Sequence, residues 1–258
     1  MPHRTSGPHL ELKLFGRFAL WVRANAERIS LPHKAEQLLA YVVLAPVGEH
    51  SREEIAQALW TDAYGDIRKQ FRQALWIIGS TLQRAGVPNV IQADGRWIEC
   101  PRGGPLRVDY WDLLRLTEPQ HADVDDAGTM SPLERAHFID NLCDRRLLDG
   151  WSYPWVVGAR DWTRARHLEA LETIVHSYRG SLQHDRVLHY AARGLQIDPS
   201  FETFHRDRIR AYCELGDRAA AALAYRQCVE VLRSTYGLEP GAETVEWGQR
   251  ALGKSAAT

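Results

Sequence analysis

The chain has 258 residues, 45% hydrophobic and 25% charged, with a formal net charge of −1 at neutral pH. That length accommodates two modest domains, each with its own core. A charge so near zero excludes a global basic field, so any nucleic-acid contact must come from a local patch. Residues 1–115 hold fifteen Lys and Arg against twelve Asp and Glu, which favours this part as the partner of an anion. Cys100, Cys143, Cys213 and Cys228 lie far apart with no CxxC pair. Buried free thiols in a reducing cytoplasm are expected, rather than a metal finger. No apolar run approaches the ~18 residues of a membrane span, and MPHRTSGPHL contains no secretory apolar core. A cytoplasmic protein with no membrane partner is expected.

Leu10, Leu12 and Leu14 alternate with Glu11 and Lys13, the pattern of a half-buried strand. Gly16 breaks it, and Phe18, Leu20 and Val22 alternate again. Ala24-Asn25-Ala26 reads as a turn, and Ile29 to Leu31 as a third short strand. Pro32 introduces a helix with Ala35, Leu38, Leu39, Val42 and Val43 at helical spacing, stopped at Pro46 to Gly48. Ser51 with Glu54 three residues later makes a capping box for a second helix. Trp60 to Gly65 is a loop, and Asp66 caps a third helix. Its residues Ile67, Phe71, Leu75, Ile78 and Leu82 form one apolar stripe. Val90-Ile91, a turn at Ala93-Asp94-Gly95 and Trp97-Ile98 read as a β-hairpin. Strands, three helices and a hairpin, in that order, make a winged helix-turn-helix with the hairpin as the wing.

Asp109 to Leu116 starts a helix, and residues 116–130 read as an acidic linker between a domain at 1–115 and one at 131–258. Ser131, Pro132 and Glu134 mark a helix start. Further helices are expected at roughly 156–180, 184–197, 201–215 and 218–236. Tyr178 and Tyr212 lie 34 residues apart, and Tyr190 and Tyr225 lie 35 apart, the tetratricopeptide (TPR) period. Ala222 allows close helix packing and Pro240 ends the unit. An ordinary helical bundle is the alternative. The expected fold is an α+β winged helix-turn-helix domain followed by an all-α, TPR-like helical domain. Trp151, Trp155 and Trp162 are spaced to hold the first helices of that second domain together; a ligand cage is the sharper alternative. No GxSxG, HExxH, Walker A or GxGxxG pattern occurs. No catalytic residue, metal ligand or cofactor is expected, and no enzyme.

The segments LKLFGRFAL, ISLPHKAEQLLAYVVLAP and SREEIAQALW resemble the N-terminal domain of SARP-type regulators (Streptomyces antibiotic regulatory proteins), an OmpR-like winged helix. LLDGWSYPWVVGARDW, GLQIDPSFETFHRDRIRAYCELGDRAAAALAYRQCVEVLRSTYGLEP and ETVEW resemble the bacterial transcriptional activator domain that follows it, over residues 131–252. The resemblance covers nearly the whole chain. It implies a cytoplasmic transcription regulator that binds direct repeats in promoter DNA, often as a homodimer, and contacts RNA polymerase or another regulator. Longer members add an ATPase or sensor domain, and neither is expected here.

Within such a domain Ser51 offers a helix N-terminus to phosphate, and Arg52 reaches another. Arg68, Lys69, Arg72 and Gln73 lie off the apolar stripe, and the forks of Arg and Gln match base edges. Arg84 lies at the far end of the same helix. Arg96, beside the hairpin turn, is placed for the minor groove. Lys34 is a further phosphate candidate. The same charges also suit a solvated amphipathic helix. Family members usually run RQALSRLRRAL here, whereas this chain reads RQALWIIGSTL. Ile77, Gly79 and Ser80 replace basic residues, and Trp76 replaces a small polar one. A face of Trp76 and Ile77 is not neutral in water. It can stack on sugars or thymine methyls, or be buried against the C-terminal domain or a partner. Two readings follow: a promoter-binding regulator, or an interaction or ligand-responsive module that keeps the fold without direct DNA contact.

Overall fold

The computed structural model describes residues 10–45, 50–60, 66–102, 104–117 and 130–253. The expected helix stop at Pro46 to Gly48, the loop through Gly65 and positions 118–129 of the acidic linker lie outside the described residues. Packing divides the chain into two units, Met1–Ala122 with Leu142–Trp162, and Asp123–Asn141 with Thr163–Thr258.

In the first unit Leu10, Leu12, Leu14 and Leu20 are fully buried, as their alternation requires. β1 (Leu10–Lys13) pairs antiparallel with β2 (Ala19–Val22), placing Leu12 opposite Leu20. β3 (Glu27–Ile29) pairs with β2, two residues earlier than its apolar residues suggest. The other side of β1 is taken by β7 (Leu106–Val108), running parallel, so the sheet order is β3-β2-β1-β7. β7 was not expected, because three residues show no readable period. α1 (His33–Leu44) buries Ala35, Leu38, Leu39, Val42 and Val43. α4 (Asp109–Thr117) is tied to it by Trp111, whose indole N–H donates to the Val43 carbonyl at 3.0 Å.

Asp109 joins the end of β1 to the start of α4. Its carboxylate accepts the backbone N–H groups of Leu14, Phe15 and Tyr110 at 2.8–3.0 Å. Burial nevertheless pushes the carboxyl up from 3.8 to about 6, outweighing the pull of those three donors.

The segment 143–153 is not helical and returns to the sheet. Leu148 N–H donates to the Leu14 carbonyl, Gly16 N–H to that of Arg146, and Asp149 N–H to that of Gly16. Trp151 stacks on Phe18 at 5.9 Å, Trp155 meets Tyr41 edge-on at 5.4 Å, and Trp162 meets Tyr110 at 5.8 Å. These tryptophans therefore close the core of the first unit instead of joining helices of the second. Spacing grouped them with the first helices of the second domain but carried no information about which core they enter.

In the second unit α5 (Pro132–Leu142) begins with a reciprocal capping box. Ser131 Oγ accepts Glu134 N–H at 3.2 Å, and Glu134 Oε2 accepts Ser131 N–H at 2.8 Å. α6 (Pro154–Gly180) belongs to this unit beyond Trp162. It is followed by α7 (His184–Ile197), α8 (Glu202–Glu214), α9 (Arg218–Tyr236) and α10 (Ala242–Ala251). α8 packs against α7, α9 and α10. Tyr178 and Tyr190 stack at 5.7 Å, and Tyr212 and Tyr225 flank the next core with Trp247. The tyrosine repeat thus marks two successive helix pairs. The closest-packed small residues of α9 are Ala221 and Ala224, with Ala222 only half-buried.

Gly194 of α7 lets that helix approach α8. A Cβ there would stand 2.3 Å from the ring of Phe204, which is fully buried. Gly194→Ala is expected to destabilise the protein by roughly 1–3 kcal/mol through overpacking, read as a lowered denaturation midpoint. An unchanged midpoint would sink this account of the α7–α8 contact. A second expectation concerns Asp109. Its folded pKa lies above the ordinary value, so its contribution is fully present below about pH 4 and is lost as pH rises through about 6. The stability of the wild type relative to Asp109→Asn should fall by roughly 2–3 kcal/mol over that window, measured by denaturant titration at each pH.

Candidate nucleic-acid interface

α3 (Ile67–Arg84) is 18 residues long, capped by Asp66, whose carboxylate accepts Lys69 N–H at 3.1 Å. It buries Phe71, Ala74, Ile78 and Leu82, while Ile67 and Leu75 are half-buried. The opposite face holds Arg68, Lys69, Arg72, Gln73, Trp76 and Gly79, all exposed. The helix carries four basic residues and no acidic one, which suits a polyanionic partner. Trp76 is 71% exposed, whereas Ile77 packs on the core. The expected apolar patch is therefore split, because successive helix residues point about 100° apart.

α2 (Arg52–Leu59) is held to the wing. Ser51 lies in β4 (His50–Ser51), which pairs with β6 (Trp97–Glu99); β6 in turn pairs with β5 (Gln92–Ala93). The first strand of the hairpin lies two residues later than expected, while the second begins at Trp97 as expected and runs one residue further. Ser51 Oγ accepts the N–H groups of Glu53 and Glu54, and Arg52 N–H donates to the Arg96 carbonyl at 3.1 Å. The first three N–H groups of α2 are thus satisfied within the protein, and exposed Glu53 and Glu54 follow. The expected phosphate role of Ser51 does not fit this arrangement: it is the cap that couples α2 to the wing. Only the serine half of the expected capping box forms.

At the wing tip Asp94 accepts the N–H groups of Arg96 and Trp97, both at 2.7 Å. Those donors hold its carboxyl below the usual range. Arg96 is exposed, with its guanidinium 5.6 Å from the centre of the Trp97 ring. A groove of about 760 Å³ runs between α2, α3 and the wing turn, lined in part by Arg52, Trp60, Arg68, Phe71, Arg72 and Gly95. Arg52 Nε and the Trp60 indole nitrogen are buried without a hydrogen-bond acceptor among the described residues. Four of the nine candidate residues, Arg68, Lys69, Arg72 and Gln73, share the exposed first half of α3, with Trp76 one turn on. Arg84 is not among them. It stands about 18 Å along the helix from Arg72, and its guanidinium folds back onto the Ser80 carbonyl and Thr81 Oγ1. Lys34 is likewise spent, donating to the Leu59 carbonyl at 2.5 Å beside the Trp60 ring. The role of Lys34 leaves no pattern in sequence, because its partner is a backbone atom of another element; the Ser51 cap was legible, but the pairing of that position with the wing was not.

Gly79 follows Trp76 by three residues on the exposed side, and a Cβ there would meet nothing within 4 Å among the described residues. Mid-helix glycine costs on the order of 1 kcal/mol relative to alanine, and no packing within the fold recovers it. Gly79→Ala is therefore expected to raise stability by roughly 0.5–1 kcal/mol, seen as a higher melting temperature; a lower one would contradict the open surface.

Residues 136–252 match the model of the bacterial transcriptional activator domain. No curated protein matches the chain. Among solved structures the chain is similar to Mycobacterium tuberculosis EmbR, a SARP family regulator solved in complex with a low-affinity phosphopeptide. The likeness has a TM-score of 0.76 at 16% sequence identity and covers 97% of this chain and 67% of that one. At that identity the likeness establishes the fold: a winged helix followed by a helical activator domain. Residues 136–252 thus form a bacterial transcriptional activator domain, and a winged helix precedes it in the same chain, the arrangement of the solved structure to which the chain is similar.

Proposed function

We propose that this protein is a SARP-type transcription regulator that binds promoter DNA through the exposed first half of α3, assisted by the wing. The observation that carries this reading is the α3 surface itself, where Arg68, Lys69, Arg72 and Gln73 stand together with no acidic neighbour on the helix. Helix insertion in the major groove puts forked Arg and Gln groups at base edges and Lys at phosphate. Arg96, exposed at the wing tip, is suited to the adjacent minor groove. Arg52 contributes through its position in the groove beside α3 rather than from a vacant helix N-terminus. The activator domain serves dimerisation, contact with RNA polymerase or another regulator, or response to a signal. The cellular setting is the cytoplasm, where promoter DNA lies, and no helix among the described residues is long and apolar enough to cross a membrane.

A second reading is favoured by one observation, the exposed Trp76: a protein-interaction or ligand-responsive module that has lost direct DNA contact. Titrations of upstream DNA across a salt series separate the two. Lys69→Ala and Arg72→Ala should each weaken binding, and Lys69→Ala should lower the slope of log affinity against log salt by about one. Arg84→Ala should leave both nearly unchanged. If Lys69→Ala and Arg72→Ala have no effect, or no duplex binds at micromolar protein at low salt, the DNA-binding reading fails.

A further inference from the structure

We propose that the Trp76 indole packs against a thymine 5-methyl group in the major groove, which makes Trp76 a specificity-determining residue of the DNA site. The inference rests on the DNA-binding reading above and goes beyond it by naming the base and the atom read. Trp76 lies four residues after Arg72 and three after Gln73, so it is their neighbour on the outward face of α3. Its exposure is not the result of a loosely held segment, because Ile77 and Ile78, the two residues that follow it, are packed into the core. Among the described residues the indole has no hydrogen bond or ring contact, although most other tryptophans of the first unit are engaged by a ring or a cation.

Gly79 supplies a second, independent observation. Three residues beyond Trp76 it presents bare helix backbone with open space around it. Its cost to the helix is recovered only if something outside the chain approaches closely there. Charge selects the occupant. A large apolar knob beside Arg72 and Gln73, on a helix without a carboxylate, faces a polyanion that carries an apolar group. Among base edges of the major groove, the thymine methyl is that group. Indole against methyl also accounts for the loss of basic character beyond Gln73: recognition there is by removal of apolar surface from water and not by hydrogen bonds.

The test uses the full chain and a duplex chosen by selection from random DNA at low salt. Each thymine of the selected site is then replaced by deoxyuridine, which removes the methyl and nothing else. Wild-type affinity should fall about fourfold at one position or two, the equivalent of one buried methyl. Trp76→Ala, whose melting temperature should match the wild type, should bind thymine and deoxyuridine duplexes equally. Arg72→Ala should bind both more weakly while keeping the fourfold ratio. Wild-type binding insensitive to every such replacement overturns the Trp76 inference and leaves the DNA-binding reading intact. A thymine-to-deoxyuridine ratio retained in Trp76→Ala overturns it as well, assigning the methyl to another residue. Failure to bind any duplex removes both readings together.

Discussion

The geometry of the candidate interface depends on the burial of one face of α3. Phe71, Ala74, Ile78 and Leu82 enter the core that α1 and the sheet also build. Each large member of that row is worth about 1.5–3 kcal/mol when removed from water. Turning the helix by one residue, about 100°, would forfeit most of it, more than any contact on the opposite face could return. The outward face is therefore set by the core: once Phe71 and Ile78 are inside, Lys69, Arg72, Gln73 and Trp76 must be outside. Recognition chemistry can vary on that face at small cost to stability, which is how a Trp comes to stand where a small polar residue is usual in the resembled family, and a Gly where a basic one is.

The ends of α2 and the wing obey a different constraint, the satisfaction of backbone donors. A helix N-terminus attracts anions only while its N–H groups are free. Here Ser51 and the Arg96 carbonyl take them, and two glutamates follow. What this loses as a phosphate site it gains as a hinge-free joint between α2 and the hairpin, with Asp94 closing the wing turn. Affinity for an anion is concentrated on side chains of α3 and on Arg96 as a result.

The return of Leu142–Trp162 to the first unit serves its core in the same economical way. One short segment supplies an edge contact to Leu14 and Gly16 through backbone atoms and fills the space over α1 and α4 with three tryptophans. The second unit, by contrast, is stabilised by repetition. Helix pairs stack with tyrosines at equivalent positions, and close approach at Gly194 lets Phe204 become fully buried.

Features that depend on neighbours a few residues away were legible in the sequence. The alternation of Leu10, Leu12 and Leu14, the α3 stripe, the Ser131–Glu134 box and the tyrosine period all report hydrogen bonds or faces formed within one element or one repeat. The winged-helix order, the helical second half and the basic cluster from Arg68 to Gln73 followed from them. What only the tertiary structure decided involves partners distant in sequence or atoms with no sequence signature. β7 finds β1 across more than ninety residues, the three tryptophans choose the first core, and the N–H groups expected to be free at Ser51 are spent on local capping and the wing. Trp76 and Ile77 are adjacent and apolar alike, yet one faces solvent and the other the core. Periodicity defines the faces of a helix, but a residue at the boundary between them is assigned only by the surface that packs against it.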